Sequence, residues 1–203
     1  MEIHLSPDLP ESPHLKPFDA VEIGQAEQKG ELFSITLGLD AGSVAELRKL
    51  SLDTSDPALQ ENTSDLKRFG TGSYEEWYAK KRFPFALVHK KTGALAAFVW
   101  FGPKELGRKS MKHLSAEELA QEKEAATGDW HTIAFRSYPP FRGTGIMKEF
   151  VRTATDVYLK YFPEAKLWTS NNRANTASVG LSEKLGYKID ESLSDKETVT
   201  MVR

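Results

Sequence analysis

Three consecutive segments in the second half of the chain change their hydrophobic pattern from strand to helix and back to strand. Residues 129–137 (DWHTIAFRS) are rich in β-branched and aromatic side chains, which favours a strand. Apolar residues then recur at helical spacing until Phe162-Pro163 ends the pattern, and AKLWTSN follows as a second strand. The apolar helical positions are Ile146, Met147, Phe150, Val151, Ala154, Val157 and Tyr158. A helix between two strands indicates a βαβ unit with a largely covered sheet, so the sequence predicts an α/β or α+β domain with a mixed sheet.

The first half of the chain is predicted to begin with an extended arm. Residues 1–30 contain four prolines and no sustained hydrophobic period, so they are expected to be loosely attached or to lie across the domain surface. ELFSITLGLD (31–40) is predicted as the first strand. Ser43 and Ser73 each precede a glutamate by three residues, which is the spacing of a capping box, and predict helices ending near Leu52 and Lys81.

The remaining elements follow from turn signals and composition. FPFALVHK and ALAAFVWFG flank Lys91-Thr92-Gly93 as a β-hairpin, and the second strand is apolar on both faces and therefore central. Residues 103–128 are a charged insertion in which Ser115 and Glu118 open a surface helix, with a substrate lid as the alternative. Asn175 to Leu185 is predicted as a helix closed by Gly186, before a hairpin of YKIDES and ETVTMVR. We therefore predict an N-terminal extended arm (1–30) and one domain (31–203).

Composition excludes several classes of function. The net charge of −2 gives no footprint for nucleic acid or an anionic membrane surface. The chain has no cysteine, so disulfides, thiolate zinc sites and cysteine nucleophiles are excluded, and no metal site is predicted. The first residues, MEIHLSPDLPESPHLKP, do not resemble a signal peptide, and no segment offers about 18 unbroken apolar residues. The expectation is a soluble, cytoplasmic protein.

The turn in SYPPFRGTGIMKEF (137–150) stands directly before the predicted helix and is typical of an anion site. A helix start leaves four backbone N–H groups without intrahelical partners and carries about half a positive charge. Gly143 and Gly145 remove the Cβ atoms that would keep a diphosphate away from the backbone. The P-loop motif is excluded because no Lys-Ser/Thr follows, and the dinucleotide motif is excluded because Lys148 replaces its third glycine. A tight turn that binds nothing remains the alternative.

Two motifs together carry a resemblance to a known superfamily. Arg142-Gly143-Thr144-Gly145-Ile146-Met147 follows a strand and starts a helix, and Asn175-Thr-Ala-Ser178-Val-Gly-Leu-Ser182-Glu-Lys-Leu-Gly-Tyr187 follows about thirty residues later. Between about Asp129 and Lys188 the chain resembles the Gcn5-related N-acetyltransferase (GNAT) superfamily. The resemblance implies the acyl-CoA N-acyltransferase fold, a mixed and mostly antiparallel central sheet with a splayed strand pair and helices on both faces.

The resemblance also implies acetyl-CoA as the cofactor. Backbone N–H groups of Arg142, Gly143, Thr144, Gly145, Ile146 and Met147 would hold the pyrophosphate. The strand ending at Phe135, Arg136 and Ser137 would splay from its neighbour and pair with the pantetheine arm, because free main-chain groups within a sheet need partners. Asn175 and Ser178 are predicted to contact the cofactor, and Asn175 is in addition a good helix N-cap. Met147 replaces a small residue of the family motif, so it either crowds the turn or points into the core.

The catalytic candidates are His131 and Ser182. His131 lies on the strand that leads to the turn, where several family members place a base, and an unperturbed imidazole titrates in the useful range; a purely structural histidine is the alternative. Ser182 stands where many family members have a general-acid tyrosine, and a serine hydroxyl is too weak an acid to replace it. Ser182 could hydrogen-bond the cofactor sulfur, directly or through water, or be a helix-surface serine. Tyr138 and Tyr187 are substitute acids or packing residues.

The predicted function is an acetyl-CoA-dependent N-acetyltransferase that acetylates a primary amine by direct attack in a ternary complex. The alternative is a CoA-binding module of the same fold that has lost catalysis. The partner is a small-molecule or peptide amine, with no nucleic acid and no membrane, and homodimerisation stays open.

Overall fold

The computed structural model of the chain describes residues 1–108, 115, 117 and 128–203. The chain divides into two compact units. The first contains Met1–Leu47, Phe83–Phe101 and Phe135–Pro163, and the second contains Arg48–Arg82, Gly102–Ala134 and Glu164–Arg203. The helix predicted at Ser115 to Glu118 lies mostly outside the described residues.

An antiparallel run of five strands forms the sheet of the first unit. The strands are β1 (Glu2–Leu5), β2 (Ala20–Gln28), β3 (Glu31–Gly38), β4 (Phe83–His89) and β5 (Leu95–Pro103, of which 95–101 lie in this unit), paired in chain order. The β4–β5 hairpin is confirmed, and all nine residues of β5 are buried, as expected for a central strand. Helix α4 (Met147–Tyr161) packs on this unit's core, where the Tyr158 ring stacks on Phe101 with centroids 4.4 Å apart.

The prediction that no strand precedes Glu31 is wrong. Strand β2 pairs with β3 along its length, and β1 pairs with β2. A register shift between Glu22 and Gly24 interrupts the alternation of β2, so Ile23 and Gly24 are both buried and the period of two is broken in the sequence. The segment between β1 and β2 is also attached, because the Tyr161 hydroxyl donates to the Pro10 carbonyl at 2.6 Å and the His14 ring lies 4.7 Å from the Phe83 ring.

Of the helices before β4, only the last begins where it was expected. Helix α1 (Ala41–Leu52) is capped by Asp40, whose Oδ1 accepts from the Ser43 N–H at 2.7 Å, so the prediction of Ser43 as the cap is wrong. Helix α2 (Pro57–Asn62) begins after Asp56, and a single π-helical turn follows at Leu66–Gly70. The prediction of Ser73 as a cap is confirmed, since its Oγ accepts from Glu76 N–H at 3.2 Å, but α3 is short (Tyr74–Tyr78).

The second unit contains a parallel and two antiparallel strand pairs. Strand β6 (Trp130–Ser137, of which 130–134 lie in this unit) pairs in parallel with β7 (Lys166–Asn172). Strand β9 (Thr198–Val202) pairs with β7 on one side and β8 (Lys188–Asp190) on the other, both antiparallel. Helix α5 (Thr176–Lys184) connects β7 to β8. The predicted class, α/β with a mixed and mostly antiparallel sheet, is confirmed.

The parallel ladder between β6 and β7 is short. It joins Trp130–Thr132 to Lys166–Trp168, and within the described chain it does not continue to the later residues of either strand. Strand β7 goes on to Asn172 with β9 as its partner. Within this unit the parallel ladder therefore ends at Thr132 and Trp168, in agreement with the predicted splayed pair.

Candidate active site

The turn after β6 in the first unit is closed by its own hydrogen bonds. The N–H groups of Phe141 and Arg142 both donate to the Tyr138 carbonyl, at 2.9 and 3.0 Å. The N–H and the hydroxyl of Thr144 donate to the Phe141 carbonyl, at 3.3 and 2.6 Å. Two of the six predicted pyrophosphate-binding amides, those of Arg142 and Thr144, are thus used within the turn.

Four amides remain available at this place. Among the described residues, the backbone N–H groups of Gly143, Gly145, Ile146 and Met147 have no acceptor. They directly precede or open α4, whose 15 residues add the positive end of a helix dipole. Four unpaired donors at a helix start form a fitting place for a phosphate-bearing ligand.

Both glycines of the turn have conformations that other residues rarely adopt. Gly143 has φ +78° and Gly145 has φ +91°. A Cβ on Gly143 would meet no atom within 4 Å, and one on Gly145 would meet only Gln28 Nε2, at 3.6 Å. The backbone is therefore open on the side where the missing Cβ atoms would stand, so a diphosphate can approach it closely.

Residues far away in sequence contact the turn and support it. Gln28 Nε2 donates to the Thr144 carbonyl at 3.1 Å. The Phe141 ring contacts the rings of Phe33 and His89, with centroid distances of 5.5 and 5.2 Å. His89 is itself bound on both ring nitrogens, by Thr92 Oγ1 at 2.8 Å and Glu31 Oε2 at 2.7 Å. These residues were not predicted, because nothing in the local sequence marks a contact across more than fifty positions.

Two arginines lie near this turn, Arg136 at the end of β6 and Arg142 within the turn. The exposed Arg142 guanidinium donates from Nε and Nη2 to the Ser137 carbonyl, at 3.2 and 3.1 Å. The buried Arg136 guanidinium lies over the Phe98 ring, 5.4 Å from its centroid. Phe135 and Ser137 are half-buried. The structure therefore brings Phe135 to Ser137 and Arg142 to Met147 together around one strand-to-helix turn.

His131 lies on β6 in the second unit and is 9% exposed. Burial lowers the pKa of its imidazole below the ordinary 6.5, the positive charge of Arg82 lowers it further, and Asp129 opposes the shift. This direction of the pKa shift favours the neutral imidazole at neutral pH. A neutral imidazole is the form that a general base requires.

Ser178 and Ser182 converge on Asn171 in the same unit. The Ser178 hydroxyl donates to Asn171 Oδ1 at 2.5 Å, and Asn171 Nδ2 donates to Ser182 Oγ at 3.5 Å. Ser182 is 0% exposed, so it is not a helix-surface serine. A group without exposed surface cannot touch a ligand directly in this conformation, and the route of Ser182 to a cofactor sulfur would have to pass through its neighbours.

Asn175 begins α5 as predicted. Its Oδ1 accepts from the Ser178 N–H at 3.1 Å, which makes it the N-cap. Its Nδ2 has no acceptor among the described residues, so two amide donors are left for a ligand. The cap and the predicted cofactor contact use different atoms and are compatible.

The tyrosines that might replace the absent general acid are both deeply buried. Tyr138 is 0% and Tyr187 is 2% exposed. Burial raises the pKa of Tyr187, with Arg203 opposing the shift, so its hydroxyl is a weaker proton donor than an ordinary tyrosine. Met147 is half-buried at the start of α4, and the adjacent Ile146 is buried.

The described residues show neither a metal-binding cluster nor a membrane-spanning helix. No group of three or more His, Asp or Glu side chains there is placed to hold a metal ion. None of the described helices has the length and apolar character needed to cross a membrane.

Comparison with known proteins identifies the fold. No family model matches the sequence, and no curated protein matches it either. Among solved structures, the chain is similar to the GNAT domain of S. lividans PAT, with a TM-score of 0.60, 14% identity, and coverage of 91% of this chain and 96% of that one. An acetyltransferase from Agrobacterium tumefaciens C58 gives a TM-score of 0.57 and 14% identity, covering 90% and 95%.

A third similar structure is a complex. It is a spermidine N-acetyltransferase from Vibrio cholerae with CoA and spermine, with a TM-score of 0.57, 14% identity, and coverage of 83% of this chain and 94% of that one. Identities this low establish the likeness in fold alone.

Proposed function

We propose that this protein, which has the fold of the Gcn5-related N-acetyltransferase superfamily, is an acetyl-CoA-dependent N-acetyltransferase acting on a primary amine by direct attack in a ternary complex. One observation carries the proposal, the four unpaired amides of Gly143, Gly145, Ile146 and Met147 at the start of α4. The CoA complex of the similar Vibrio cholerae enzyme supports the choice of ligand.

The residues that would hold the cofactor follow from the donors they present. In the first unit, the four turn amides suit the diphosphate, and the Arg142 guanidinium adds positive charge beside them. In the second unit, taken by itself, Asn175 offers Nδ2. The end of β6 beyond Thr132 has left its ladder with β7, so its main chain suits an amide-bearing arm. When bound, acetyl-CoA supplies the acetyl group as an activated thioester.

His131 is the proposed proton acceptor. An alkylamine with a pKa of about 10.4 costs roughly 4.6 kcal/mol to deprotonate at pH 7, so a base helps most with such acceptors. The buried, neutral imidazole takes the ammonium proton, directly or through water, and the amine nitrogen then has the lone pair needed to form the new C–N bond. The thiolate released when the C–S bond breaks can leave without a proton near neutral pH, because its pKa is about 8.5. This fits a site in which Ser182 stands in place of a tyrosine.

A CoA-binding module without catalysis is the second candidate. It is favoured by the burial of Ser182, Tyr138 and Tyr187, because none of the three presents an exposed hydroxyl. It predicts the same turn and the same affinity for CoA, but no transfer.

Two measurements separate these functions. Isothermal titration with CoA tests the turn, and we expect saturable binding. Release of free thiol from acetyl-CoA is then followed across peptide N-termini, lysine, polyamines and small amines, with acetyl-CoA alone as the blank. Amine-dependent release supports the enzyme, binding without release supports the binding module, and no binding of CoA overturns both.

A further inference from the structure

We propose that Gln28, the last residue of β2, positions the turn at residues 142–147, called the cofactor turn below. It would do so by fixing the peptide unit between Thr144 and Gly145. This rests on the proposed function. Gln28 lies outside both sequence motifs and 116 positions away from its partner Thr144.

The hydrogen bond of Gln28 selects one orientation of that peptide. Gln28 Nε2 donates to the Thr144 carbonyl at 3.1 Å. In a trans peptide the C=O and the following N–H point in opposite directions, so holding the Thr144 carbonyl against Gln28 directs the Gly145 N–H away from it. That N–H is one of the four unpaired amides.

The peptide needs such a restraint because the residue that follows it, Gly145, can adopt both positive and negative φ. Gly145 has φ +91°, and a glycine adopts positive and negative φ with similar ease. A flip of the peptide would present the Thr144 carbonyl oxygen to a diphosphate in place of an N–H. The result would be repulsion where the site needs a donor.

The backbone of Gln28 is fixed by strand pairing. It is paired with Glu31 across a two-residue hairpin whose turn residues, Lys29 and Gly30, both have positive φ, of +53° and +81°. The paired residues Phe33 and His89 on β3 and β4 support the same turn through Phe141. The sheet thus meets the turn at two points, a hydrogen bond to Thr144 and a ring contact at Phe141.

The test removes the donor while keeping the length of the side chain. Gln28→Met has no donor, and Gln25→Met is the matched control, because Gln25 lies on the same strand and its Nε2 donates to Glu22 at 3.0 Å. Titrations use CoA and, separately, pantetheine, which lacks the diphosphate. A cofactor-free readout is the heteronuclear ¹⁵N NOE of the Gly145 amide.

We expect Gln28→Met to raise the Kd for CoA about 3- to 10-fold, as for loss of one hydrogen bond, with an unchanged Kd for pantetheine and a lower NOE at Gly145. Gln25→Met should match the wild type in all three. Equal CoA affinity of wild type and Gln28→Met overturns the proposal, and so does an equal weakening for pantetheine. If neither the wild type nor Gln25→Met binds CoA, the proposed function fails, and the NOE at Gly145 alone decides whether Gln28 holds the turn.

Discussion

At the scale of single residues, a substitution at Gly143 is the most direct test of the cofactor turn. A Cβ at this position would clash with no protein atom, so Gly143→Ala should cost only about 1–2 kcal/mol from its positive φ. A diphosphate lying on the Gly143 amide would meet that methyl group. We therefore expect a rise of about tenfold or more in the Kd for CoA, measured by titration calorimetry.

Gly93 provides the control for that substitution. It has φ +69° in the β4–β5 turn and equally open surroundings, so Gly93→Ala carries the same backbone cost without touching the site. A similar loss of CoA affinity in both variants would show that Gly143→Ala acts through stability and would remove the turn from the proposal.

The lowered pKa of His131 should make the stability of the protein depend on pH. Its pKa is lowered in the folded state by burial and by Arg82, so between that pKa and about 6.5 the unfolded chain binds more protons than the folded one. Stability then rises with pH in this window and is lost on acidification. The free energy of unfolding in urea should fall from pH 7.5 toward 5 more steeply for the wild type than for His131→Gln. Parallel plots of this free energy against pH would contradict the burial of a neutral imidazole.

At the scale of elements, two substitutions at the N-cap of helix α5 separate the capping role of Asn175 from its proposed cofactor contact. Asn175→Ala removes the cap and should destabilise the protein by about 0.5–2 kcal/mol in urea unfolding, whereas Asn175→Ser keeps an oxygen acceptor at the N-cap. Both variants lose the Nδ2 donors. If Nδ2 contacts the cofactor, Asn175→Ser should bind CoA several-fold more weakly at near wild-type stability; unchanged affinity in this variant would restrict Asn175 to capping.

Elements with clean local signals were predictable from the sequence, and those whose signals are broken were not. The β4–β5 hairpin, α4 and α5 follow from period, turn residues and an Asn cap. Strand β2 was missed because its bulge at Glu22 and Gly24 disrupts alternation, although a two-residue Lys29-Gly30 turn before β3 was a usable hairpin signal. For α1, Asp40 occupies the cap position three residues before the expected Ser43, and its carboxylate accepts from the Ser43 N–H.

The candidate site shows the same division between local and long-range information. The motif at Arg142 to Met147 identified the strand-to-helix turn. It did not show that the N–H groups of Arg142 and Thr144 donate to carbonyl groups within the turn. Gln28 and His89 come to the turn through strand pairing, which no window of sequence encodes. The complete burial of Ser182 likewise depends on how α5 packs, with Asn171 as its partner.

At the scale of the whole molecule, the absence of cysteine sets the expected kinetic pattern. Without a thiol nucleophile in 203 residues, direct transfer requires both substrates to be bound together. Initial rates at varied acetyl-CoA and several fixed amine concentrations should give intersecting double-reciprocal lines. Parallel lines would point to an acyl-enzyme on another side chain and would contradict direct attack.

The hairpin of β2 and β3 also affects how the chain may be shortened. A protein cut to begin at Glu31, where the sequence alone suggests a domain boundary, would lose β1 and β2 and with them Gln28. It would also leave the backbone of β3 as a bare sheet edge, the kind of surface that recruits other chains into aggregates. We expect such a shortened protein to be poorly soluble and to bind coenzyme A, its proposed cofactor, more weakly, because both defects follow from the loss of one hairpin.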